Sequence, residues 1–149
     1  MAKTSPEDSL DKDIKRLRTT LQGVDFLTHL KVHDMDLLLS AMTKRRYAAG
    51  ETVIRQGAVG DEFFIVASGK LSVWVKKGLK KVQIDTRWPE QFFGEMALVS
   101  SAPRMATLKT EMESDLYVLG KREFDSLLMA NPTIAKTIRS EIAKRKNMR

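Results

Sequence analysis

The chain has 149 residues, 42% hydrophobic and 30% charged, which is typical of one globular domain with a sizeable core. It has no cysteine, no apolar run near the length of a membrane span and a polar start unlike a signal peptide. Disulfides and thiolate metal sites are therefore excluded, and a cytoplasmic location is expected. The formal net charge of +7 favours anionic partners: nucleotides, nucleic acid or acidic protein surfaces.

Two helical patterns occupy residues 1–46, which we predict to be an N-terminal helical segment. Ser5 is expected to be the N-cap and Pro6 the first residue of a helix that ends near Gly23. Its narrow apolar stripe is typical of a helix that docks on a core. A second pattern with helical periodicity spans about 32–44.

The pattern changes to that of β-strands over residues 47–120. Short runs rich in Val, Ile, Phe and Trp are separated by turn residues, and these runs are TVIRQG, EFFIVASG, LSVWVKKG and VQIDTRW. Glycines separate the runs at roughly ten-residue intervals, and a closing strand is expected at Tyr117–Leu119. This pattern predicts a sandwich or barrel of short antiparallel strands.

One stretch within this region, Phe93–Thr107, has the residues that a phosphate ligand requires. Gly94 permits close backbone approach, and a helical turn that starts at Glu95 presents free N–H groups suited to an anion. Arg104 adds a planar cation matched to phosphate oxygens, and Pro103 stiffens the backbone that precedes it. The Glu95 carboxylate is an acceptor suited to hydroxyls. A phosphate-binding group next to a hydroxyl-binding carboxylate predicts a sugar phosphate or nucleotide ligand.

Residues 121–149 return to helical periodicity. Asn131 is predicted to be the N-cap and Pro132 the first residue of the last helix. An apolar stripe with a spacing of four residues follows at Ile134, Ile138 and Ile142. The predicted order is therefore helices, β-barrel, helices, in one domain of the α+β class.

Two long motifs in this order resemble those of the cyclic nucleotide-binding domain. This is the family of the regulatory subunits of cyclic AMP-dependent protein kinase, cyclic nucleotide-gated channels and catabolite activator proteins. The family's phosphate-binding cassette, roughly F-G-E-[LIM]-A-L followed by P-R-x-A-[TS], is matched at Phe93–Leu98 and Pro103–Thr107. A glycine-marked hairpin at Gly57–Gly69 is the second match. The resemblance covers the chain from about Leu27 onward. It implies a mainly β fold: an antiparallel jelly-roll β-barrel with N-terminal helices and C-terminal lid helices.

The resemblance also implies roles for the residues of the cassette, residues 93–107. Arg104 resembles the arginine that pairs with the exocyclic oxygens of the cyclic phosphate. Glu95 resembles the glutamate that accepts from the ribose 2′-OH, with Gly94 alongside. The backbone N–H groups of Ala97 and Leu98 resemble the donors to the phosphate. The expected ligand-binding residues are Phe93, Gly94, Glu95, Met96, Ala97, Leu98, Pro103, Arg104, Met105 and Ala106.

Base preference and the lid follow from the same resemblance. Kinase-type domains that prefer cyclic GMP often have Thr after the arginine, and cyclic AMP binders often have Ala. Met105 has no hydroxyl, so cyclic AMP is favoured over cyclic GMP, although Met departs from both patterns. In the family the last helix closes over the base. The candidate lid residues are Ile138, Ile142 and Arg145, and a helix-docking core is the competing interpretation of the two isoleucines.

These observations predict a regulatory or sensor module that is not an enzyme and has no cofactor. Its ligand would be cyclic AMP or cyclic GMP, and it would signal to a protein partner or an attached effector domain. One alternative is a fragment of a catabolite-activator-type transcription factor, although this chain shows no DNA-binding motif. The other is a barrel that binds no nucleotide and serves protein interaction. His29 and His33 have metal-ligand spacing but no third ligand nearby, so no metal site is predicted.

Overall fold

The computed structural model describes residues 6–147, with side chains over residues 13–144. Its helices are α1 Pro6–Gln22, α2 Val32–Ser40, α3 Lys121–Ala130 and α4 Pro132–Asn147. Its strands are β1 Thr43–Tyr47, β2 Thr52–Ile54, β3 Glu62–Ser68, β4 Leu71–Lys77, β5 Lys80–Arg87, β6 Phe92–Phe93, β7 Thr107–Thr110 and β8 Ser114–Gly120. Two 3-10 turns lie at Asp25–Leu27 and Glu95–Leu98. The predicted N-cap Ser5 lies outside the described residues.

Residues 42–124 form one compact unit, built from two antiparallel sheets of four strands. One sheet has the strand order β1-β8-β3-β6 and the other β2-β7-β4-β5. Strands that are distant in sequence are neighbours in both sheets, as in a jelly roll. The predicted antiparallel jelly-roll fold is therefore confirmed.

The core of this unit consists of apolar side chains that alternate along the strands. Its buried members are Phe64, Val66, Leu71, Val73, Phe93, Leu108, Leu116 and Val118. The rings of Phe64 and Phe93 stack with their centroids 4.9 Å apart and their planes 14° from parallel. Since Phe93 directly precedes Gly94, this stacking anchors the start of the cassette in the core.

The second compact unit contains the residues up to Ala41 together with those from Asp125 onward. Within it, α1 packs against α2, and Arg18 donates to both carboxylate oxygens of Asp36 over 2.7 and 2.8 Å. The α4 helix packs against the 3-10 turn at Asp25–Leu27, and its Ile134 and Ile138 are buried. Among the described residues, no helix is long and apolar enough to span a membrane.

The structure corrects the predicted end of the second helix. The α2 helix ends at Ser40, and the residues up to position 44 that were predicted to be helical include the start of β1. The β1 sequence TKRRY has no apolar alternation because its side chains are mostly exposed, so its periodicity does not indicate a strand. It pairs along its whole length with β8, and Arg46 bonds Asp115 at 2.9 Å across that pairing.

The start of the last helix agrees with the sequence in position but not in its capping bond. Pro132 begins α4, and the Asn131 carbonyl accepts from the N–H of Ala135. The Asn131 side-chain amide, however, donates to the carbonyl of Leu127 over 2.9 Å. Asn131 thus satisfies a free carbonyl at the end of α3, a group that would otherwise lack an intrahelical partner.

Candidate functional site

The two sequence motifs, distant along the chain, meet at Arg104. The Arg104 N–H donates to the Ala58 carbonyl, and the Gly57 N–H donates to the Arg104 carbonyl, both over 2.8 Å. Val59 and Pro103 form an antiparallel bridge next to these two bonds. The segment that contains Gly57 therefore fixes the backbone from which the Arg104 side chain extends.

The Arg104 guanidinium is tied to two backbone carbonyls but is not fully satisfied by them. Its Nη2 donates to the Glu62 carbonyl over 2.8 Å, and its Nη1 donates to the Gly94 carbonyl over 3.4 Å. Among the side chains that the structure describes, its Nε is the one buried nitrogen or oxygen without a hydrogen-bond partner. A buried donor without a partner is costly, and such groups are rare. The side chain is therefore suited to an acceptor that the described protein groups do not supply.

Two glycines leave room for this guanidinium. A Cβ placed on Gly60 would lie 2.2 Å from Nε and 2.4 Å from Nη2 of Arg104. A Cβ on Gly94 would lie 2.8 Å from Nη1, and the φ of +77° at Gly94 is itself unfavourable for other residues. The guanidinium thus occupies space that exists because both positions lack a side chain.

Nearby carboxylates oppose the effect of burial on the Arg104 guanidinium. Burial lowers the pKa of Arg104 below its usual value. Three carboxylates act in the opposite direction, those of Glu62, Asp61 and Glu95. Arginine stays protonated at neutral pH because its reference pKa is so high. The site therefore presents a partly buried cation to a ligand.

The Glu95 carboxylate has the capacity to accept a ligand hydroxyl. The side chain is half-buried, and it makes no hydrogen bond within the part of the chain that the structure describes. Glu62, by contrast, is bonded to Arg45, with 2.9 Å between Nη2 and Oε2. Of the three carboxylates near Arg104, Glu62 is therefore engaged, whereas Glu95 and Asp61 keep their carboxylate oxygens unoccupied by described groups.

The predicted helical turn of the cassette is present as a 3-10 turn over Glu95–Leu98. Gly94 enters it in the left-handed conformation, and its carbonyl accepts from both the Ala97 N–H (3.1 Å) and Arg104 Nη1. This shared carbonyl links the turn to the arginine. The Ala97 N–H, expected from the resemblance to serve the phosphate, is bonded to Gly94 in this structure. Ala97 and Leu98 are buried, whereas the Met96 side chain is 52% exposed.

The other predicted site residues lie in different environments. Met105 follows the arginine with 87% of its side chain exposed, whereas Ala106 packs against the barrel core. Ile138 is buried and Ile142 half-buried within the helical unit, and the Arg145 side chain lies outside the described residues. The packing of α4 on Asp25–Leu27 accounts for the burial of Ile138 as core, and its role in a lid stays a prediction.

One of the two histidines with metal-ligand spacing, His29, lies beside a carboxylate. His29 Nε2 lies 3.5 Å from the Glu141 carboxylate, in the helical unit. No cluster of three His, Cys, Asp or Glu suited to a metal ion is found among the residues described. His29 is therefore an ion-pair partner of Glu141 when it is protonated.

Sequence reasoning missed how Gly60 and Glu62 serve the arginine. Gly60 belongs to the glycine-marked hairpin, but its contact with Arg104 joins residues far apart in sequence. The Glu62 contribution is a backbone carbonyl, which carries no sequence signal. Both contacts depend on the pairing of the 57–59 and 103–104 segments, which emerges only in the folded barrel.

Comparisons with known proteins find several similar sequences. The family model described as "Cyclic nucleotide-binding domain" matches residues 44–131. A cAMP-dependent protein kinase regulatory subunit from Blastocladiella emersonii is 42% identical over 120 residues, or 80% of this chain and 30% of that protein. A cyclic nucleotide-gated potassium channel from Rhizobium etli is 34% identical over 109 residues, or 73% of this chain and 29% of that protein. The chain thus spans about 30% of the length of the curated relatives it matches.

Solved structures show the same fold. The regulatory domain of Toxoplasma gondii PKA, in co-crystal with cAMP, matches with a TM-score of 0.69 and 27% identity, over 78% of this chain and 45% of that chain. Thermus thermophilus catabolite activator protein matches with a TM-score of 0.65 and 26% identity, over 83% and 59%. The N-terminal domain of a Streptomyces coelicolor A3(2) transcriptional regulator matches with a TM-score of 0.75 over 87% and 91%. At 23% identity, that last likeness concerns the fold alone.

Proposed function

The chain belongs to the cyclic nucleotide-binding domain family, and from this premise we propose that it is a non-catalytic regulatory module whose ligand is cyclic AMP. The observation that carries the proposal is the partly buried Arg104 guanidinium with its Nε unpartnered among described groups. A cyclic phosphate supplies the acceptors that this cation needs, and a ribose supplies a hydroxyl for Glu95. Glu95 and Arg104 belong to the same cassette, and the Glu95 carboxylate raises the pKa of Arg104. This proximity supports one small ligand that bonds both side chains.

In the proposed complex, Arg104 donates to the exocyclic oxygens of the phosphate, through Nε and the Nη hydrogens left by Glu62 and Gly94. Charge-assisted bonds of this kind are short and about twice as strong as neutral ones. Glu95 accepts the ribose 2′-OH. Cyclic AMP is favoured because Met105, which follows the arginine, offers no hydroxyl to a guanine.

We propose that the output is a population shift of the helices after Gly120. Ligand binding favours the conformation in which these helices cover the base, with Ile138, Ile142 and Arg145 as the lid residues. A ligand shifts such an equilibrium only by its difference in affinity for the two states. The signal would pass to a protein partner or to an attached effector domain. Several relatives are regulatory subunits of a kinase, which supports a partner of that kind.

Calorimetric titration with cyclic AMP, cyclic GMP and AMP tests the proposed ligand class. We expect cyclic AMP to bind most tightly, cyclic GMP less tightly, and AMP weakest, because an open phosphate carries additional charge that meets the carboxylates around Arg104. Equal binding of AMP and cyclic AMP would reject the need for a cyclic phosphate. Absence of binding by all three would favour the alternative of a barrel that binds no nucleotide.

Glu95→Ala is expected to weaken cyclic AMP binding by about 1.5–3 kcal/mol, the scale of a hydrogen bond to a charged group. The 2′-deoxy ligand should show much of the same loss with the parental protein, and little further loss with the variant. Calorimetry on both proteins with both ligands measures this coupling. Glu95→Gln is the matched control because it keeps an acceptor oxygen while removing the charge. Equal affinity of the parental protein for both ligands would reject the ribose role.

Met105→Thr is expected to raise the affinity for cyclic GMP relative to cyclic AMP by about threefold to tenfold, the worth of one added hydrogen bond. The side chain is almost fully exposed, so the substitution should leave the melting temperature unchanged. The ratio of the two dissociation constants is the measurement. A ratio equal to that of the parental protein would mean that the base is read elsewhere.

A further inference from the structure

A basic groove lies on the outer face of the sheet β2-β7-β4-β5, with a volume of about 700 Å³. Side chains alternate across this sheet, so that Val73 and Leu108 enter the core while Trp74 and Lys109 point to the other face. We use the name basic groove for the surface lined by Arg55, Trp74, Lys76, Lys81, Thr107 and Lys109. Of the cassette, only its last residue, Thr107, lines the groove, and Arg104 and Glu95 are not among the lining residues.

The groove gathers positive charge without any compensating carboxylate. Its cations come from different parts of the sheet: Arg55 follows β2, Lys76 lies on β4, Lys81 on β5 and Lys109 on β7. No Asp or Glu lines the groove. None of the four cations forms an ion pair with the residues that the structure describes. An anion therefore meets positive charges that no described carboxylate pairs with.

The arrangement of the lysines is unfavourable for the protein by itself. Lys76 lies directly opposite Lys81 in the β4–β5 pairing, and like charges in such a pair destabilise a sheet. Lysines on β5 also discourage edge-to-edge association because β5 is the edge strand. That function does not account for Lys109, since β7 lies inside the sheet between β2 and β4. A bound anion would offset the repulsion between Lys76 and Lys81 and would give Lys109 a partner of opposite charge.

Trp74 provides a fixed aromatic surface among these charges. Its Nε1–H donates to the Oγ of Ser72 over 2.7 Å, and Ser72 is fully buried. This bond sets the plane of the half-buried indole. The backbone N–H of Gln56 donates to Thr107 Oγ1 over 2.9 Å, and the Gln56 side-chain Oε1 accepts from the Lys76 backbone N–H over 2.7 Å. These two bonds hold the segment after β2 against β4 and β7. A rigid ring flanked by cations suits a planar, negatively charged ligand.

We propose that the basic groove binds a nucleoside triphosphate, as a ligand additional to the cyclic nucleotide. One indole and four cations match one base and the roughly four negative charges of a triphosphate. Single-stranded nucleic acid carries one charge per base and is bound by several aromatic rings in succession. The groove has one aromatic ring for four cations, which does not match that arrangement. An acidic peptide would leave the indole without a planar partner. The groove volume falls within the range of small-ligand sites.

The test is a titration of the purified chain with ATP, at saturating cyclic AMP and without divalent cations. The protein has two tryptophans, so Trp88→Phe leaves Trp74 as the reporter. We expect ATP to bind by calorimetry and to quench the Trp74 emission. AMP should bind about tenfold more weakly or worse, because it has fewer charges. Inorganic triphosphate should bind without comparable quenching, because it has no base.

Charge reversal on the two faces of one hairpin provides the matched control. Lys76→Glu with Lys81→Glu should weaken ATP binding about tenfold or more. Lys77→Glu with Lys80→Glu makes the same change of charge on the opposite face of β4 and β5. This variant should change the affinity for ATP by less than about threefold, because salt screens charges at that distance. Both double variants should keep the parental affinity for cyclic AMP, so a failure here is distinct from a failure of the proposed function.

Three outcomes would overturn the proposal. Equal losses in the two double variants would show that net charge, and not the groove, attracts ATP. Tighter binding of a single-stranded oligonucleotide or of an acidic peptide, abolished by Lys76→Glu with Lys81→Glu, would assign the groove to that occupant instead. No binding of ATP to the parental chain would mean that the groove has no such ligand.

Discussion

Arg104→Ala is expected to weaken cyclic AMP binding by about 2–5 kcal/mol, as when a partly buried charge pair loses one partner. The parental guanidinium is already positioned before the ligand arrives. It donates to the carbonyls of Glu62 and Gly94, and it lies in the space that Gly60 leaves. Because this geometry is prepared, little of the interaction energy is spent on ordering the side chain. The alanine variant loses both the positive charge and the hydrogen-bond donors that are already positioned for the phosphate.

The fold is expected to survive this substitution. The alanine removes one short bond to the Glu62 carbonyl, but it also removes a buried Nε that has no partner among the described groups. These two effects on the free energy of unfolding have opposite signs. Thermal unfolding measures stability, and calorimetry with cyclic AMP measures affinity. Arg104→Lys is the control, since it keeps a charge but not the planar fork, and should recover only part of the affinity. Near-parental affinity in a folded alanine variant would contradict the site assignment.

The parts of the fold predicted from the sequence are those with a local signal. Strands β3 and β4 have dense apolar runs bounded by glycines, and the turn at Glu95–Leu98 follows a glycine that adopts a left-handed conformation. Strand β1 was missed because its side chains are mostly exposed and basic, and therefore show no apolar period of two. Two of them, Arg45 and Arg46, form ion pairs with carboxylates of β3 and β8. A two-residue strand such as β6 is too short to show any period at all.

The candidate site divides in the same way. Arg104 and Glu95 could be proposed as site residues from the sequence, because their side-chain chemistry suits phosphate and hydroxyl at a short spacing. The groups that hold Arg104 were not, because they are backbone carbonyls and missing side chains from distant segments. The basic groove is a further case. Net charge indicates an anionic partner in general, but only the strand register brings Lys76, Lys81 and Lys109 to one face.

Gly60→Ala is expected to weaken cyclic AMP binding by about 2–4 kcal/mol, close to the effect of Arg104→Ala, although it replaces no charged residue. The new Cβ would lie 2.2 Å from Nε, 2.4 Å from Nη2 and 2.5 Å from Cζ of Arg104. Contacts this short cannot exist, so the whole guanidinium must move. The displaced group is the end of a flexible side chain, and Gly60 itself is not in the left-handed region. Stability should therefore stay within about 1 kcal/mol of the parental protein.

A double-mutant cycle shows whether Gly60 acts through Arg104 or directly on the ligand. If the methyl group weakens binding by displacing the guanidinium, Gly60→Ala should have almost no further effect in the Arg104→Ala background, about 0.5 kcal/mol or less. An unchanged loss in that background would mean that the methyl group obstructs the ligand itself. Calorimetry on the four proteins gives the coupling energy. A large coupling energy would establish that Gly60 acts on binding through Arg104. The missing side chain at Gly60, in the segment between β2 and β3, would then determine where the Arg104 guanidinium lies.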